Sequence, residues 1–220
     1  MDREKGLKKI PVAKEAKRLL LLPLAIFVVS LFFGLRILCL LSLLFFAFLL
    51  YFFRDPERNT DIGEDFLTSP ADGRVLRIEP ASFENFGLEK CFLVSIFMSP
   101  FDVHINRSPA HAQILELRYL KGAFKGAFKK GVERLNERNY ILMQARGKKI
   151  LVIQIAGFLA RRIYCYLKEG MEVKRGERIG MIAFGSRVDV CLPEDYDIMV
   201  KEGEKVKAGI TPIAKMRGGL

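Results

Sequence analysis

The sequence predicts a mainly β domain preceded by a hairpin of two apolar helices. Beyond about residue 54, short apolar runs alternate with turn residues, which is typical of an all-β fold. Before it, residues 19–53 carry a single charge, Arg36, and Gly34-Leu35-Arg36 divides them into two nearly equal halves. A glycine-bounded segment near the C-terminus occurs twice, which indicates two similar halves within the β domain.

The apolar stretch is too long for one straight membrane helix. As a single helix, residues 19–53 would extend about 52 Å, whereas the hydrocarbon core of a bilayer is about 30 Å thick. A hairpin of two short helices, a re-entrant pair, or one tilted span with Arg36 near its end would each fit. The stretch is also too long for a cleaved signal peptide, and no small-residue cleavage site follows it.

Basic residues on both sides of this stretch favour the hairpin, because lysine and arginine gather on the cytoplasmic side of membranes. The sequence therefore predicts a basic tail (1–18), a membrane-anchoring helical hairpin (19–53) and a β-rich domain (54–220) on the cytoplasmic side of the cell membrane. The flanking residues are Lys5, Lys8, Lys9, Lys14, Lys17 and Arg18 before the stretch, and Arg54 and Arg58 after it.

The net charge of +11 could suit nucleic acid or an anionic lipid surface. No RNP, zinc-finger or helix-turn-helix pattern accompanies it, so we expect a lipid partner and no nucleic acid. The cysteines form no C-x-x-C pair, which predicts neither a metal site nor a disulfide and favours a reducing compartment. They are Cys39, Cys91, Cys165 and Cys191.

Six strands and one ambiguous segment are predicted in the β domain. Residues 131–139 suit either a short helix or an irregular loop. The predicted strands cover residues 74–78, 91–98, 112–119, 140–145, 150–155 and 163–167.

The repeat joins residues 168–176 to residues 201–209; both copies read glycine turn, valine, lysine, glycine turn. Such a repeat resembles the barrel-sandwich of lipoyl and biotinyl carrier domains, in which two halves meet and a hairpin is displayed at their midpoint. Here the midpoint falls near Gly185-Ser186, and no lysine lies between Arg178 and Lys201 to carry a cofactor. This disfavours a carrier, and it leaves a hairpin over residues 182–190 with Ser186 as the displayed group.

A serine that follows glycine in a strained turn can attack the preceding carbonyl. The amide becomes an ester, elimination leaves dehydroalanine, and hydrolysis leaves a pyruvoyl group. The reaction needs a base, and the chain has two histidines, His104 and His111. His104 lies in a polar loop after a predicted strand, where a catalytic histidine is expected. Asp72 is by itself an ordinary turn residue.

Six motifs in this order resemble the phosphatidylserine decarboxylase family, most closely its short, archaeal-type branch. The resemblance covers about residues 45–215 and implies a proenzyme that cleaves itself between Gly185 and Ser186. Chains 1–185 and 186–220 would form a heterodimer. The motifs are FFRDPER, SPADGRV, FMSPFDVHINRSP, NERN, QIAG and FGSRVDV.

By motif, Asp72, His104 and Ser186 correspond to the family's self-processing residues, and Ser186 would become the covalent pyruvoyl cofactor. No metal is implied. The expected reaction converts phosphatidylserine to phosphatidylethanolamine and carbon dioxide; the pyruvoyl carbonyl captures the head-group amine and accepts the electrons left by the departing carbon dioxide.

One departure leaves the proton donor open. Longer family members carry H-x-x-H in the loop, whereas this chain has Arg107 in the second place. Either His104 serves both steps, or Arg107, His111 or water serves one. Phosphate contacts could come from Arg107, Arg161, Arg162 or Arg187. Residues 121–130, with Phe124 and Phe128, form either a solvated loop or a flap that enters the membrane interface.

Two other classes of protein compete with this interpretation. A membrane-anchored adaptor could also join an apolar anchor to a barrel-sandwich, but it would usually add coiled-coil heptads, which are absent here. The interpretation as a nucleic-acid-binding protein rests on the net charge alone. Within the decarboxylase interpretation, an ether-linked serine lipid would present the same head group.

Overall fold

The computed structural model describes residues 12–59, 61–122, 136–157, 162–183 and 186–218. The chain divides into two compact units after Glu57. Gly185, Arg161 and residues 123–130 of the predicted flap, which include Phe124 and Phe128, lie outside the described residues.

The first unit contains the predicted helical hairpin. Helix α1 (Ala16–Phe32) and helix α2 (Arg36–Phe52) pack against each other, and Gly34 turns the chain between them with a φ of +67°. Within the described residues, no helix is both long and apolar enough to cross a membrane. The hairpin is thus confirmed as secondary structure.

The second unit is mainly β, as predicted. All six predicted strands are present, and the described residues add eight more strands and a single 3-10 turn, Glu84–Phe86. The strands are β1 (Phe66–Thr68), β2 (Gly73–Phe83), β3 (Leu88–Met98), β4 (Ile105–Arg107), β5 (Ala112–Leu120), β6 (Arg138–Ala145), β7 (Lys148–Ile155), β8 (Ile163–Cys165), β9 (Glu172–Val173), β10 (Arg178–Ile182), β11 (Ser186–Pro193), β12 (Tyr196–Ile198), β13 (Lys205–Val206) and β14 (Pro212–Met216).

One large sheet dominates this unit and curls into a half-barrel. Its order is β13-β2-β3-β11-β7-β6-β5-β9, and two three-stranded sheets, β1-β14-β12 and β4-β10-β8, accompany it. Alternate residues of a strand point to opposite faces. One face carries the main core, which includes Val188 and Val152; the other carries a second apolar cluster, which includes Leu93 and Ile153.

The strands form two equivalent sets, which we call repeat 1 (β1–β3 with β11–β14) and repeat 2 (β4–β10). In repeat 2, β6 and β7 form eight successive pairs that begin with Ala145 opposite Lys148. In repeat 1, β3 and β11 also form eight, beginning with Met98 opposite Ser186. Where β11 meets β7, Val190 pairs with Val152, each the fifth residue of its strand, so the two repeats are related by a pseudo-two-fold axis there.

The correspondence extends to irregular features. A β-bulge interrupts the pairing of β2 with β3 and the pairing of β5 with β6 at the same relative position. Two backbone hydrogen bonds cross between the repeats: the amide of Thr68 donates to Pro109 and the amide of Arg107 donates to Pro70, both at 2.9 Å. The repeat noticed in residues 168–176 and 201–209 is therefore part of a duplication of seven strands.

Repeat 2 is continuous in sequence, whereas repeat 1 is interrupted by it. In repeat 2, β6 and β7 are joined by the two-residue turn Arg146-Gly147, with φ values of 49° and 75°; two positive φ values suit the tight hairpin turns that follow strand twist. In repeat 1, the whole of repeat 2 lies between Met98 and Ser186.

Three predictions about the β domain need correction. Residues 182–190 do not form a hairpin, because β10 pairs with β4 and β8 whereas β11 pairs with β3 and β7. The absence of a disulfide was also wrong: Cys91 and Cys191 are bonded, since pairing of β3 with β11 brings together residues 100 positions apart. Of the ambiguous segment 131–139, Arg138 and Asn139 begin β6, and residues 131–135 lie outside the described residues.

Candidate active site

Ser186 is the first residue of β11 and is fully buried. It lies opposite Met98, and its hydroxyl donates a hydrogen bond to the Met98 sulfur at 3.4 Å. A thioether is a weak acceptor, so this contact fixes the rotamer of the hydroxyl without holding its proton strongly. The hydroxyl is thus buried and oriented, and a stronger base could still remove its proton.

Asp72 lies at the same end of the sheet as Ser186. It directly precedes β2, and the pairing of Arg74 with Phe97, and of Phe97 with Arg187, aligns the ends of β2, β3 and β11. The ends of β2 and β11 are two strand spacings apart, which corresponds to about 10 Å. Asp72 precedes Gly73, where a Cβ would approach the Phe97 carbonyl oxygen to 2.0 Å, so only glycine permits this approach of β2 to β3.

The carboxylate of Asp72 is held by groups that the sequence reasoning missed. The Arg58 guanidinium pairs with both of its oxygens, one at 2.7 Å, and the Ala208 amide donates at 2.8 Å. Arg58 also donates to the Ala208 carbonyl at 2.7 Å. The FFRDPER motif contains Arg58, but nothing local indicates its partner. A charge-assisted bidentate pair fixes both position and orientation of a carboxylate.

His104 is almost completely buried at the start of β4, with 1% of its surface exposed. Its carbonyl accepts the Ile182 amide at 3.4 Å, so it is tied to the end of β10, four residues before Ser186. The structure therefore brings Asp72, His104 and Ser186 to one end of the β unit. Neither Asp72 nor Ser186 is hydrogen-bonded to His104 among the described residues.

A buried chain of amides ends beside Ser186. Asn139 donates to Gln154 at 3.0 Å, Gln154 donates to Asn106 at 2.8 Å, and Asn106 donates to the Met98 sulfur at 3.6 Å. All three amides are buried. Because Met98 also accepts the Ser186 hydroxyl, the chain connects three strands to the position of the reacting residue.

This amide chain needs a glycine in β10. A Cβ at Gly180 would lie 2.7 Å from Gln154 Nε2 and 2.4 Å from the Tyr164 carbonyl oxygen. Asn139 and Gln154 come from the NERN and QIAG motifs, and Asn106 from the loop with His104. The motifs alone do not indicate that these amides interact, because the contacts form only when β4, β6 and β7 assemble.

The predicted phosphate-binding arginines fall into different environments. Arg107 is buried and donates to the Gly176 carbonyl at 2.8 Å. Arg187 is buried on the opposite sheet face from Ser186 and pairs with Asp189 at 2.7 Å. Burial raises the pKa of the Asp189 carboxyl, and the Arg187 charge partly offsets this rise. Both arginines serve the fold, whereas Arg162 is exposed.

His111 is exposed, away from the buried site. It occupies in repeat 2 the position that Asp72 occupies in repeat 1, since Ser108-Pro109-Ala110 precedes it as Ser69-Pro70-Ala71 precedes Asp72. His111 lines a surface cavity of about 580 Å³ together with Glu172, Lys174 and Glu177. The structure gives it no contact with Ser186, so it is a poor candidate for the second proton carrier.

Comparison with known proteins finds relatives that match most of the chain, including Asp72, His104 and Ser186. The family described as phosphatidylserine decarboxylase matches residues 45–214. The phosphatidylserine decarboxylase proenzyme of Syntrophus aciditrophicus is 47% identical over 76% of this chain and 78% of its own. That of Pelagibacter ubique is 44% identical over 86% and 87%. A putative archaetidylserine decarboxylase proenzyme of Methanothermobacter thermautotrophicus is 42% identical over 87% and 91%.

Proposed function

The chain belongs to the phosphatidylserine decarboxylase family, and we propose that it decarboxylates a serine phospholipid with a pyruvoyl group formed from its own Ser186. Its relatives are named proenzymes, which supports processing into two chains, here 1–185 and 186–220. The observation that carries the residue assignment is the position of Ser186: a buried serine that begins β11 at the junction where repeat 2 ends and repeat 1 resumes.

The proposed self-cleavage begins with bond formation between the Ser186 Oγ and the carbonyl carbon of residue 185. The peptide C–N bond breaks, and the serine nitrogen takes up the proton. Elimination then breaks the ester C–O bond, frees the carboxylate that ends the long chain, and removes the Cα proton. Water replaces the nitrogen, which leaves as ammonia, so the full sequence consumes one water and releases one ammonia.

The residues around Ser186 fit a pyruvoyl group at this position. The site is buried, and the Met98 thioether and the Asn106 amide lie beside the Ser186 hydroxyl, so neutral groups flank the position where the carbonyl would form. When present, the group supplies an electron sink for decarboxylation of a bound amino acid. We assign proton removal during processing, and proton delivery to substrate, to His104, and we assign Asp72 with Arg58 to the electrostatic support of processing.

The substrate is proposed to be phosphatidylserine, with the ether lipid archaetidylserine as a second candidate. The second rests on the name of the Methanothermobacter relative, which covers most of this chain. Both lipids present the same serine head group. Assays of carbon dioxide release from each lipid in mixed micelles would separate them, and equal rates would show that the enzyme does not read the backbone linkage.

We further propose that the helical hairpin contacts lipid as a re-entrant element and that the β domain, a barrel-sandwich of two repeats, faces the cytoplasm. The support is an exposed apolar surface, with Phe32 85% and Ile37 78% exposed, because large exposed apolar patches mark interaction sites. The Cys91–Cys191 disulfide would have to persist on the cytoplasmic side, where disulfides are rare. Flotation with phosphatidylglycerol vesicles should carry the wild-type chain and not Phe32→Asp/Ile37→Asp; flotation of both would refute lipid contact through the hairpin.

Intact mass of the purified protein under reducing conditions tests the processing step. We expect two chains split at 185/186, the small one of about 35 residues and about 17 Da lighter than a serine-started peptide because ammonia is lost. Ser186→Ala should remain one chain of about 25.1 kDa without decarboxylase activity. An uncut wild-type chain with full activity would refute the assignment of Ser186.

A further inference from the structure

The disulfide between Cys91 and Cys191 spans the proposed cleavage point. We infer that it is an interchain bond of the mature enzyme, which keeps chain 186–220 covalently attached to chain 1–185 after self-cleavage. The inference rests on the proposed function, because only cleavage at 185/186 places the two cysteines on different chains. Cys91 is in β3 and Cys191 in β11.

The two cysteines are placed by the central ladder of repeat 1. In the register of β3 and β11, Cys191 lies opposite Leu93 and Cys91 lies opposite Pro193. Each cysteine is therefore two residues from the position directly opposite the other, and both lie on the same face. Their Cα atoms are 5.9 Å apart, within the range that a disulfide bridges.

The bond lies inside the second apolar cluster of the sheet. Cys91 is 3% and Cys191 0% exposed, and Leu93, Leu151 and Ile153 belong to the same cluster. Exchange requires a thiolate to reach one of the sulfurs, so the folded enzyme shields the bond from reductants. Ser186 points to the other face, so the disulfide does not occupy the reaction site.

Repeat 2 shows what the bond replaces. There, β6 and β7 are joined directly by the Arg146-Gly147 turn, whereas the equivalent β3 and β11 lie on separate chains after cleavage. In the folded state the ladders of β11 hold the small chain without covalent help. In the unfolded state nothing would hold it, and refolding would become bimolecular.

A tether changes that reaction order. Linked segments meet at an effective concentration in the millimolar range, well above an enzyme concentration of micromolar or less. Formation of the bond removes one proton from each thiol and passes two electrons to a small-molecule or protein disulfide by exchange. The two remaining cysteines, Cys39 and Cys165, are not disulfide-bonded and provide internal controls.

The first test is the mass of the full-length wild-type enzyme, denatured and alkylated with iodoacetamide, with and without prior reduction. We expect one species of about 25 kDa with two adducts when unreduced, and two chains with four adducts in total after reduction. Two chains without reduction would overturn the interchain bond and leave self-cleavage standing. One chain in both conditions would overturn self-cleavage and, with it, the interchain bond.

The second test is recovery of activity after unfolding in guanidinium and dilution to a series of protein concentrations. The oxidised enzyme should recover the same fraction of activity over a hundredfold dilution. With reductant in both buffers, recovery should fall as the protein is diluted. Cys165→Ala should behave as wild type, and Cys91→Ala as the reduced enzyme. Equal, concentration-independent recovery of reduced and oxidised wild type would contradict the inference even if Cys91→Ala fails to fold.

Discussion

The two repeats have equivalent strands, matching registers and a bulge at the same relative position, but only repeat 1 contributes Asp72 and Ser186. The ladder of β3 with β11 and that of β6 with β7 are equally long. They differ where the strands meet, because the tight turn of repeat 2 is replaced in repeat 1 by the whole of repeat 2. The proposed reaction site thus lies at the position where repeat 1 lacks the turn that repeat 2 has.

This difference explains how a chain can be cut without losing its fold. A hairpin turn supplies local continuity, which repeat 1 already does without, since Met98 and Ser186 are held opposite each other by side-by-side pairing alone. Flanking strands β3 and β7 bond both edges of β11. Breaking the bond before Ser186 therefore removes no strand pairing among the described residues.

Substitutions at the equivalent positions Asp72 and His111 should give the largest difference in cleavage rate between the two repeats. Asp72→Asn removes a carboxylate that pairs with Arg58 just before β2, and we expect self-cleavage to slow by about 100-fold or more, a typical effect of losing an electrostatic contact at a reacting site. His111→Asn should cleave at the wild-type rate, since His111 is exposed away from Ser186.

Densitometry of the small chain on reducing gels, at intervals after synthesis, would give both rates. Circular dichroism at the same temperature would show whether each variant is folded, so that slow cleavage is not confused with unfolding. Wild-type cleavage by a folded Asp72→Asn variant would remove Asp72 from the proposed processing residues and make the two repeats equivalent at this position.

The buried pair Arg187–Asp189 offers the next contrast, because repeat 2 has Lys149 and Leu151 at the equivalent positions. In an uncleaved Ser186→Ala background, Asp189→Asn removes the carboxylate that pairs with the buried Arg187 and should lower the free energy of unfolding by about 3–5 kcal/mol. Guanidinium unfolding measures this loss.

Arg187→Met/Asp189→Leu should recover most of that stability, since replacing a buried ion pair with apolar side chains is often neutral or better. The apolar Leu151 shows that this fold accepts such a residue there. If the double variant were as unstable as Asp189→Asn, the pair would have a structural role that repeat 2 does not share.

The amide chain is a third feature in which the two repeats differ. Gln154 in β7 corresponds to Leu192 in β11, and Asn139 corresponds to Phe92. Gln154→Leu would leave buried polar groups of Asn106 and Asn139 without their partner, at a cost of about 1–3 kcal/mol. If the chain positions Met98 and Ser186, cleavage should slow as well.

Gln144→Leu, at an exposed site on the adjacent strand β6, is the matched control and should change neither property. Guanidinium unfolding in the Ser186→Ala background measures stability. The amount of small chain on reducing gels, in the native background, measures cleavage. A stability loss with an unchanged cleavage rate would limit the amides to a structural role.

How much of this could be predicted depends on how local the signal is. The long strands were predictable, since each is an apolar run bounded by turn residues, and Gly34 was a sufficient signal for the helical turn. Ser186, His104 and Asp72 came from motifs, and the structure places all three at one end of the β unit. Their roles in processing stay predictions.

The remainder depends on contacts distant in sequence. Cys91 and Cys191 carry no spacing signal, and Arg58 finds Asp72 only in the folded unit. The supposed hairpin at 182–190 was wrong because two apolar runs close in sequence entered different sheets. One signal was available and overlooked: Ser69-Pro70-Ala71 and Ser108-Pro109-Ala110 mark the same turn in both repeats.

The smallest expected effect tests the symmetry itself. Gly170 and Gly203 are equivalent turn residues with φ of +82° and +83°, and a Cβ would meet no atom within 4 Å at either. Alanine at each should therefore cost only the backbone strain of a left-handed L-residue, about 1 kcal/mol. Measured in the uncleaved Ser186→Ala background, the two losses should agree within about 0.5 kcal/mol.

In the mature enzyme Gly203 lies on the small chain, so a larger loss for Gly203→Ala confined to the cleaved form would mean that cleavage, rather than sequence, makes repeat 1 the weaker half. A difference already present before cleavage would instead show that the matched registers do not carry matched energies.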